Sequence, residues 1–500
     1  MRWTVLVLAL VSLAPPADQK KDVKPQAAPQ QRASAEGLAA QAEERAIAGD
    51  LAGAVELMQK ATRAADASGD TWLRLGRFLD RKRDLDLAVD AYKAAADKLD
   101  GKAKGEALGR LSLVQQVRAA GEASAPAEAA AAADPGGAWP LSALAFAHAS
   151  KGDEAATLAR KAIDAGGGAA AQAASGRASE ALGDLKAAET AYREAMAAPD
   201  GPLVATVALA RVLRKTNRAA EALPLIQQVT EQAPGAIEAY KESARVKLAL
   251  GRAEDAVSDA AIAAAMAEGD AEARSLQIEV TVAQALVNVA KNQPDLALQD
   301  LTRLRDQDPG SAPVRVGIAK ALVAQRQIDA AIAELQKAVE LDPASADAQF
   351  QLGYVQHVLK GNPAAALPAY EKAVAADPAN PVYRTSLGAA LVGVKQFDRA
   401  VAELKKVAEG PGYDRPDAWI YIGQAQVGAK RYKDAIPPLE KAVAIAPNND
   451  LAYAFLGWAY FGLKDVEAFK KNAGKARALG HKEPTLLDYL RRIEAGEPIK

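Results

Sequence analysis

The chain has 500 residues, 50% of them hydrophobic and 25% charged, and its 62 basic and 63 acidic side chains leave a formal net charge of −1. That balance suits a folded chain in water and excludes a general nucleic-acid binder, which carries a basic excess. Cysteine is absent, which excludes disulfides, Cys-ligated zinc, iron–sulfur clusters and thiol nucleophiles, and His148, His357 and His481 share no metal-ligand spacing.

Residues 1–17 open with a short basic start, Met1-Arg2, followed by a mostly apolar run from Trp3 to Leu13. The run is too short to span a bilayer, which takes about 20 residues, but it suits the apolar region of a signal peptide. Export to the periplasm or envelope is therefore expected. Residues 18–35 are rich in proline, glutamine, lysine and alanine and contain nothing that could form a core, so a disordered linker is expected there.

From residue 36 to 480 the sequence repeats. About a quarter of the whole chain is alanine, the best helix former and a side chain small enough to sit between packed helices. The clearest unit runs from Asp417 to Pro447, with Trp419, Ile422, Gly423, Ala435, Leu439, Ala442 and Pro447 at fixed offsets. A small residue marks the first helix of each unit: Ala42, Gly76, Gly176, Ala210, Ala244, Ala285, Ala319, Gly353, Gly388, Gly423 and Gly457. Two weaker units fit between Gly76 and Gly176. The mean step is about 35 residues, close to the roughly 34 of one repeat class. On these residues the chain resembles the tetratricopeptide repeat (TPR) family, with about thirteen units, several degenerate. The resemblance implies an all-α solenoid, a right-handed superhelix of antiparallel helix pairs.

Within the array, Asp308-Pro309, Asp342-Pro343, Asp377-Pro378 and Ala446-Pro447 are expected to end second helices, because the residue before proline is pushed out of the helical region. Gly152, Gly183 and Gly251 are expected at turns between helices. The units of about 97–168 are weak, and from about Asp97 to Gly137 the pattern degenerates into alanine, which predicts helices with a thin core and low local stability. About seven extra residues between Ala263 and Ile278 should lengthen a helix or a loop. In the last segment, 481–500, Leu486, Leu487, Leu490 and Ile493 share one face of a helix that would cap the array.

The resemblance also implies that the first helix of each unit lines a concave groove. Positions three before the small marker and one and four after it share a helical face. They give a basic set, Arg77, Arg177, Arg211, Arg214, Lys241, Arg245 and Lys320. Toward the end of the chain they give an apolar and aromatic set with Phe350, Tyr354, His357, Val392, Ile420, Gln424, Trp458 and Phe461. Arginine forks grip carboxylates bidentately, so the expected partner is a protein offering an acidic extended segment with apolar anchors at one end. The family's carboxylate clamp combines Lys with Asn at such places, and this groove has Arg instead and lacks the Asn.

The sequence carries no P-loop, GxSxG or HExxH motif. Gly166-Gly167-Gly168 reads as an inter-repeat turn. No catalytic residue, cofactor or metal is expected. The expectation is a non-enzymatic interaction scaffold of a bacterial envelope machine for secretion, pilus, motility or envelope assembly. Two alternatives are a recruiting or regulatory subunit of an envelope polysaccharide-synthesis or glycosyltransferase complex, and a cytoplasmic adaptor. The mass of the chain isolated from its native host decides the first step: export predicts a mature N-terminus between Ala14 and Lys20, and a retained Met1 contradicts it.

Overall fold

The computed structural model describes residues 34–199, 201–411 and 414–497, so the expected signal segment and nearly all of the expected linker lie outside the described residues. Among the described residues there are 27 α-helices and no strand. They form thirteen antiparallel pairs, from Ala35–Ile47 with Leu51–Ala61 to Asp450–Gly462 with Val466–Ala478, and Pro484–Ala495 follows them.

Five of the pairs are set by a glycine on the first helix facing a large side chain on the second. A side-chain carbon added at Gly76, Gly176 or Gly353 would stand 2.5–2.7 Å from the ring of Tyr92, Tyr192 or Tyr370. At Gly388 and Gly423 it would stand 2.3–2.4 Å from Leu404 and Leu439. All five large partners are fully buried, so none can move aside without opening the core.

In twelve of the thirteen pairs the turn that follows the first helix takes one residue at positive φ, from Gly49 in the first pair to Lys464 in the last; the connection after Gly101–Arg118 has none. Arg83, Arg326, Lys395, Lys430 and Lys464 occupy it although a Cβ makes that conformation unfavourable by about 1 kcal/mol. Second helices end where proline requires: Asp308, Asp342, Asp377 and Ala446 are C-cap residues with extended ψ near 81–85°.

The degenerate stretch is uneven: its first helix is well covered, which corrects the expectation of a thin core there, whereas Ser124–Ala133 and Asp153–Asp164 bury only alanines. Helix Gly101–Arg118 buries Ala107, Leu111, Ser112, Leu113, Val114, Gln115 and Val117. It packs not only on its neighbours but across the superhelix against Leu203–Lys215 and Ile237–Ala249. The repeat pattern is lost there because this helix is covered on several sides rather than one. Arg83 adds a tie of 3.3 Å to the carbonyl of Gly201, and Arg118 bonds Asp86. One hydrophobic core runs without a break from Ala39 to Val246.

Beyond residue 250 the core divides into smaller clusters, each shared by neighbouring helix pairs. The extra residues lengthen a helix: Ala271–Ala290 has 20 residues where most first helices have 12–14. A second insertion of one residue lies between Gly353 and Gly361. It is absorbed as a π-helical turn, Val355–Leu359, with Asn362 donating to the carbonyl of Gln356. Such turns widen a helix locally and recur at functional sites.

Two alanine substitutions test the role of the small seats with opposite signs. Gly423→Ala drives a methyl into Leu439 and is expected to cost about 1–3 kcal/mol. Gly474→Ala, in a helix interior with open space around it, is expected to stabilise by about 0.5–1 kcal/mol. Urea unfolding of the two variants against the parent checks both.

Candidate partner-binding surface

The first helices present two unlike surfaces. In the units up to residue 290 the expected basic stripe is present but internally paired. Arg211 makes a two-pronged contact with Glu180 at 2.9 and 3.0 Å, and Lys215 and Arg177 reach the same carboxylate at 2.8 and 3.5 Å. Arg214 grips Glu242 at 2.6 Å, and Arg245 lies 2.7 Å from Glu272. The Lys241 ammonium, 2% exposed, is held by Glu238, Asp270 and Glu272 at 2.9, 2.6 and 3.1 Å. Those three carboxylates lie within 4.8 Å of one another, but they converge on an ammonium that already serves as their cation. Arg77 pairs with Glu106 at 2.6 Å and Lys320 with Asp347 at 3.4 Å.

The expectation of an open cationic groove is therefore corrected. Each expected cation has a carboxylate partner, usually on the next first helix, so the charges clamp neighbouring units together. Sequence reasoning placed the cations on the right helices but did not pair them with Glu180, Glu242 and Glu272, which stand a full repeat away from their partners or on a different face position.

Burial alone would raise the Glu180 carboxyl, whose side chain is 1% exposed, but the Arg211 charge and the hydrogen bonds from Arg211 and Lys215 outweigh it and hold the group at about 2. The Lys241 ammonium is also desolvated, and its hydrogen bonds to Asp270 and Glu238 raise it above its usual value.

The second surface opens between three consecutive first helices, Ala346–Tyr354 with its π-turn, Pro381–Gly393 and Asp417–Gly428. A cavity of about 230 Å³ is lined there by Tyr354, His357, Val358, Val382, Ser386 and Tyr421, among others. Tyr354 and His357 were expected from the sequence. Val358 is exposed to 54% and Val382 to 41%, and both were missed. The π-turn carries His357 and Val358 to the rim, and a one-residue insertion was the only trace it left in the sequence. Val382, Ser386 and Ala389 follow one helical face at intervals of four and three. Burial lowers the His357 imidazole below its usual 6.5, so the ring is neutral at pH 7. Its edge meets Tyr370, with centroids 6.1 Å apart.

The other expected groove residues serve packing. Phe350 sits between Tyr370 and Tyr383, 6.0 and 4.9 Å between centroids. Ile420 and Val392 are buried in the core, and Gln424 is half-buried. Trp458 and Phe461 lie 5.7 and 5.2 Å from Tyr489 of the last helix, in a cluster with Leu486 and Leu490. They are corrected from groove residues to part of the joint that seats Pro484–Ala495.

Tetratricopeptide-repeat family models match residues 316–381 and 385–450, and residues 357–412. Solved structures similar to this chain include YrrB, described as a TPR protein with an unusual peptide-binding site (22% identity, TM-score 0.33, 38% of this chain and 97% of that one). Others are the APC/C Cut9–Hcn1 hetero-tetramer (14% identity, TM-score 0.41, 92% and 96%) and PilW, a type IV pilus biogenesis factor (17% identity, TM-score 0.38, 43% and 98%). No curated protein matches the sequence. Between residues 316 and 450 the chain carries tetratricopeptide repeats, and the described residues form an all-α repeat solenoid.

The charge clamp predicts a pH dependence. The Glu180 pKa is depressed from 4.5 to about 2 on folding, so its contribution is complete above 4.5 and is lost as the pH falls from there toward 2. Glu180→Gln is expected to cost about 2–3 kcal/mol at pH 7, discounted because its cations are partly solvated. The deficit against the parent should shrink steadily below pH 4.5 in urea unfolding. A deficit that stays constant with pH would show that the carboxylate charge is not what holds the clamp.

Proposed function

We propose that this chain is a non-enzymatic protein-interaction scaffold whose binding surface is the concave face spanning residues 346–428. It would receive an extended segment of a partner protein and take one apolar or aromatic side chain into the cavity between Tyr354, Val382 and Tyr421. The observation that carries this reading is the exposed apolar rim around a preformed concavity built by three rigid helices, the form in which repeat solenoids and small pockets receive ligands. Arg415, paired with Asp417 at 2.5 Å, borders the same cavity and supplies a polar anchor beside it.

His357, Ser386 and Asp417 all border this cavity, a set of residue types that also serves acyl transfer. Among the described residues no hydrogen bond joins the imidazole to the hydroxyl or the carboxylate, and Asp417 is turned to Arg415. The scaffold reading is preferred on that ground. An acidic partner segment, expected from the sequence, would have to compete with the internal carboxylates for the basic set. The reading therefore rests on apolar anchoring.

We place the scaffold at the cell envelope, on the strength of the apolar run Trp3–Leu13. Within that setting a secretion, pilus, motility or assembly machine is the preferred context. A recruiting subunit for an envelope polysaccharide synthase is the alternative.

Selection of random peptides on the immobilised full chain tests the surface. The selected peptides are expected to share a Trp, Tyr, Phe or Leu at one position. They should lose about tenfold or more in affinity when Val382→Asp places a charge at the rim. Peptides that share no such position, or that bind Val382→Asp as tightly as the parent, would overturn the reading.

A further inference from the structure

A second cavity, of about 520 Å³, lies near the start of the array. Among the described residues five arginines line it, Arg74, Arg77, Arg81, Arg83 and Arg110, together with two carboxylates, Glu43 and Asp80. Its walls come from distant parts of the chain: helices Gly69–Lys82 and Gly101–Arg118 on one side, and Pro199 and Gly201 on the other. The cross-superhelix closure described above therefore creates it. Leu51, Phe78 and Pro199 add an apolar portion.

The arginines differ in how they are satisfied. Arg74 is held by Glu36, Glu43 and Asp70 at 3.2, 3.5 and 2.7 Å and belongs to the wall. Arg77 and Arg110 share a single carboxylate, Glu106, at 2.6 and 2.7 Å, so that group carries one positive charge in excess. Arg110 is fixed by lying over the Trp139 ring at 3.7 Å. The Arg77 Nε is buried with no hydrogen-bond partner. Arg83 is desolvated, which lowers its pKa against the raising effect of Asp80. It is held in place by its bond to the Gly201 carbonyl and by a left-handed backbone at φ 69°. Among the described residues no carboxylate pairs with Arg81. Leaving aside Arg74, which has three carboxylate partners of its own, Arg77, Arg81, Arg83 and Arg110 face two carboxylates among the described residues, Glu106 and Asp80, so the cavity combines a local excess of guanidinium groups with a preformed shape.

Guanidinium forks match the oxygens of phosphate and carboxylate, and prepositioned ones bind them with little further ordering. We propose that this cavity is a binding site for a small organic oxyanion carrying at least two negative charges, with Arg77, Arg81 and Arg110 as its direct ligands and Phe78 against its apolar part. The site is separate from the concave surface at 346–428. It joins helices that come together only when the first six units are closed on themselves, so its ligand would stabilise that closure.

Isothermal titration of the full chain with inorganic pyrophosphate and with citrate tests this and separates the two sources of oxyanion. At least one is expected to bind with one-site stoichiometry. Affinity should fall about tenfold in Arg81→Ala, an exposed position whose loss disturbs no ion pair among the described residues. Arg77→Met, which leaves Glu106 to Arg110, should fall similarly while the far-ultraviolet circular dichroism of both variants stays that of the parent. Tighter pyrophosphate assigns a phosphorylated ligand, and tighter citrate a polycarboxylate. Absence of binding by both anions, or binding that neither substitution weakens, would overturn the proposal.

Discussion

The structure depends on one steric constraint, repeated along the chain. A first helix carries a small residue where the second helix carries a fully buried Tyr or Leu, as at Gly76 and Tyr92, Gly353 and Tyr370, or Gly423 and Leu439. With no room for even one more carbon, the two helices can meet in only one arrangement. The spacing of that contact then fixes the next unit, and the sum of those steps decides which first-helix residues face inward. The placement of the candidate binding surface is therefore a consequence of the seats rather than of the residues that line it.

On this common frame the two halves of the array diverge. In the first, the inward-facing positions are charged, and the charges are spent on one another: Glu180 on Arg211 and Lys215, Glu242 on Arg214, Glu272 on Lys241 and Arg245. Together with the helix Gly101–Arg118, which crosses to Leu203–Lys215, they close the superhelix on itself. In the second half the same positions are apolar and aromatic, contacts stay between neighbours, and a π-turn pushes His357 and Val358 outward. One half is thus a rigid, charge-locked body with an arginine-lined hollow, and the other offers a surface.

Much of the fold was legible in the sequence because the seats are glycine and alanine at a regular interval, and because proline marks the helix ends. Turns were legible only where glycine filled them: Gly183 and Gly251 announce a left-handed residue, whereas Lys395 and Lys430 in the same conformation do not. The site was half legible. Tyr354 and His357 follow from the helical face, but Val358 reaches the cavity through an inserted residue that shifts the register. The basic set was misread because ion pairing joins residues about thirty positions apart, such as Arg211 and Glu180, and a face-by-face reading of one helix does not see the helix beside it. Helix Gly101–Arg118 was misread for a related reason: contacts across the superhelix erase the one-sided pattern by which a repeat is recognised.

Hydrogen exchange of the full chain, followed by mass spectrometry, tests the division into a closed and an open half most directly. The account predicts that amides of Gly101–Arg118, Leu203–Lys215 and Ile237–Ala249 exchange together, through one cooperative opening. Those between residues 312 and 462 should exchange unit by unit with graded protection. Rapid, independent exchange in Gly101–Arg118 would contradict it, because that helix could not then be the strut that holds the first half shut.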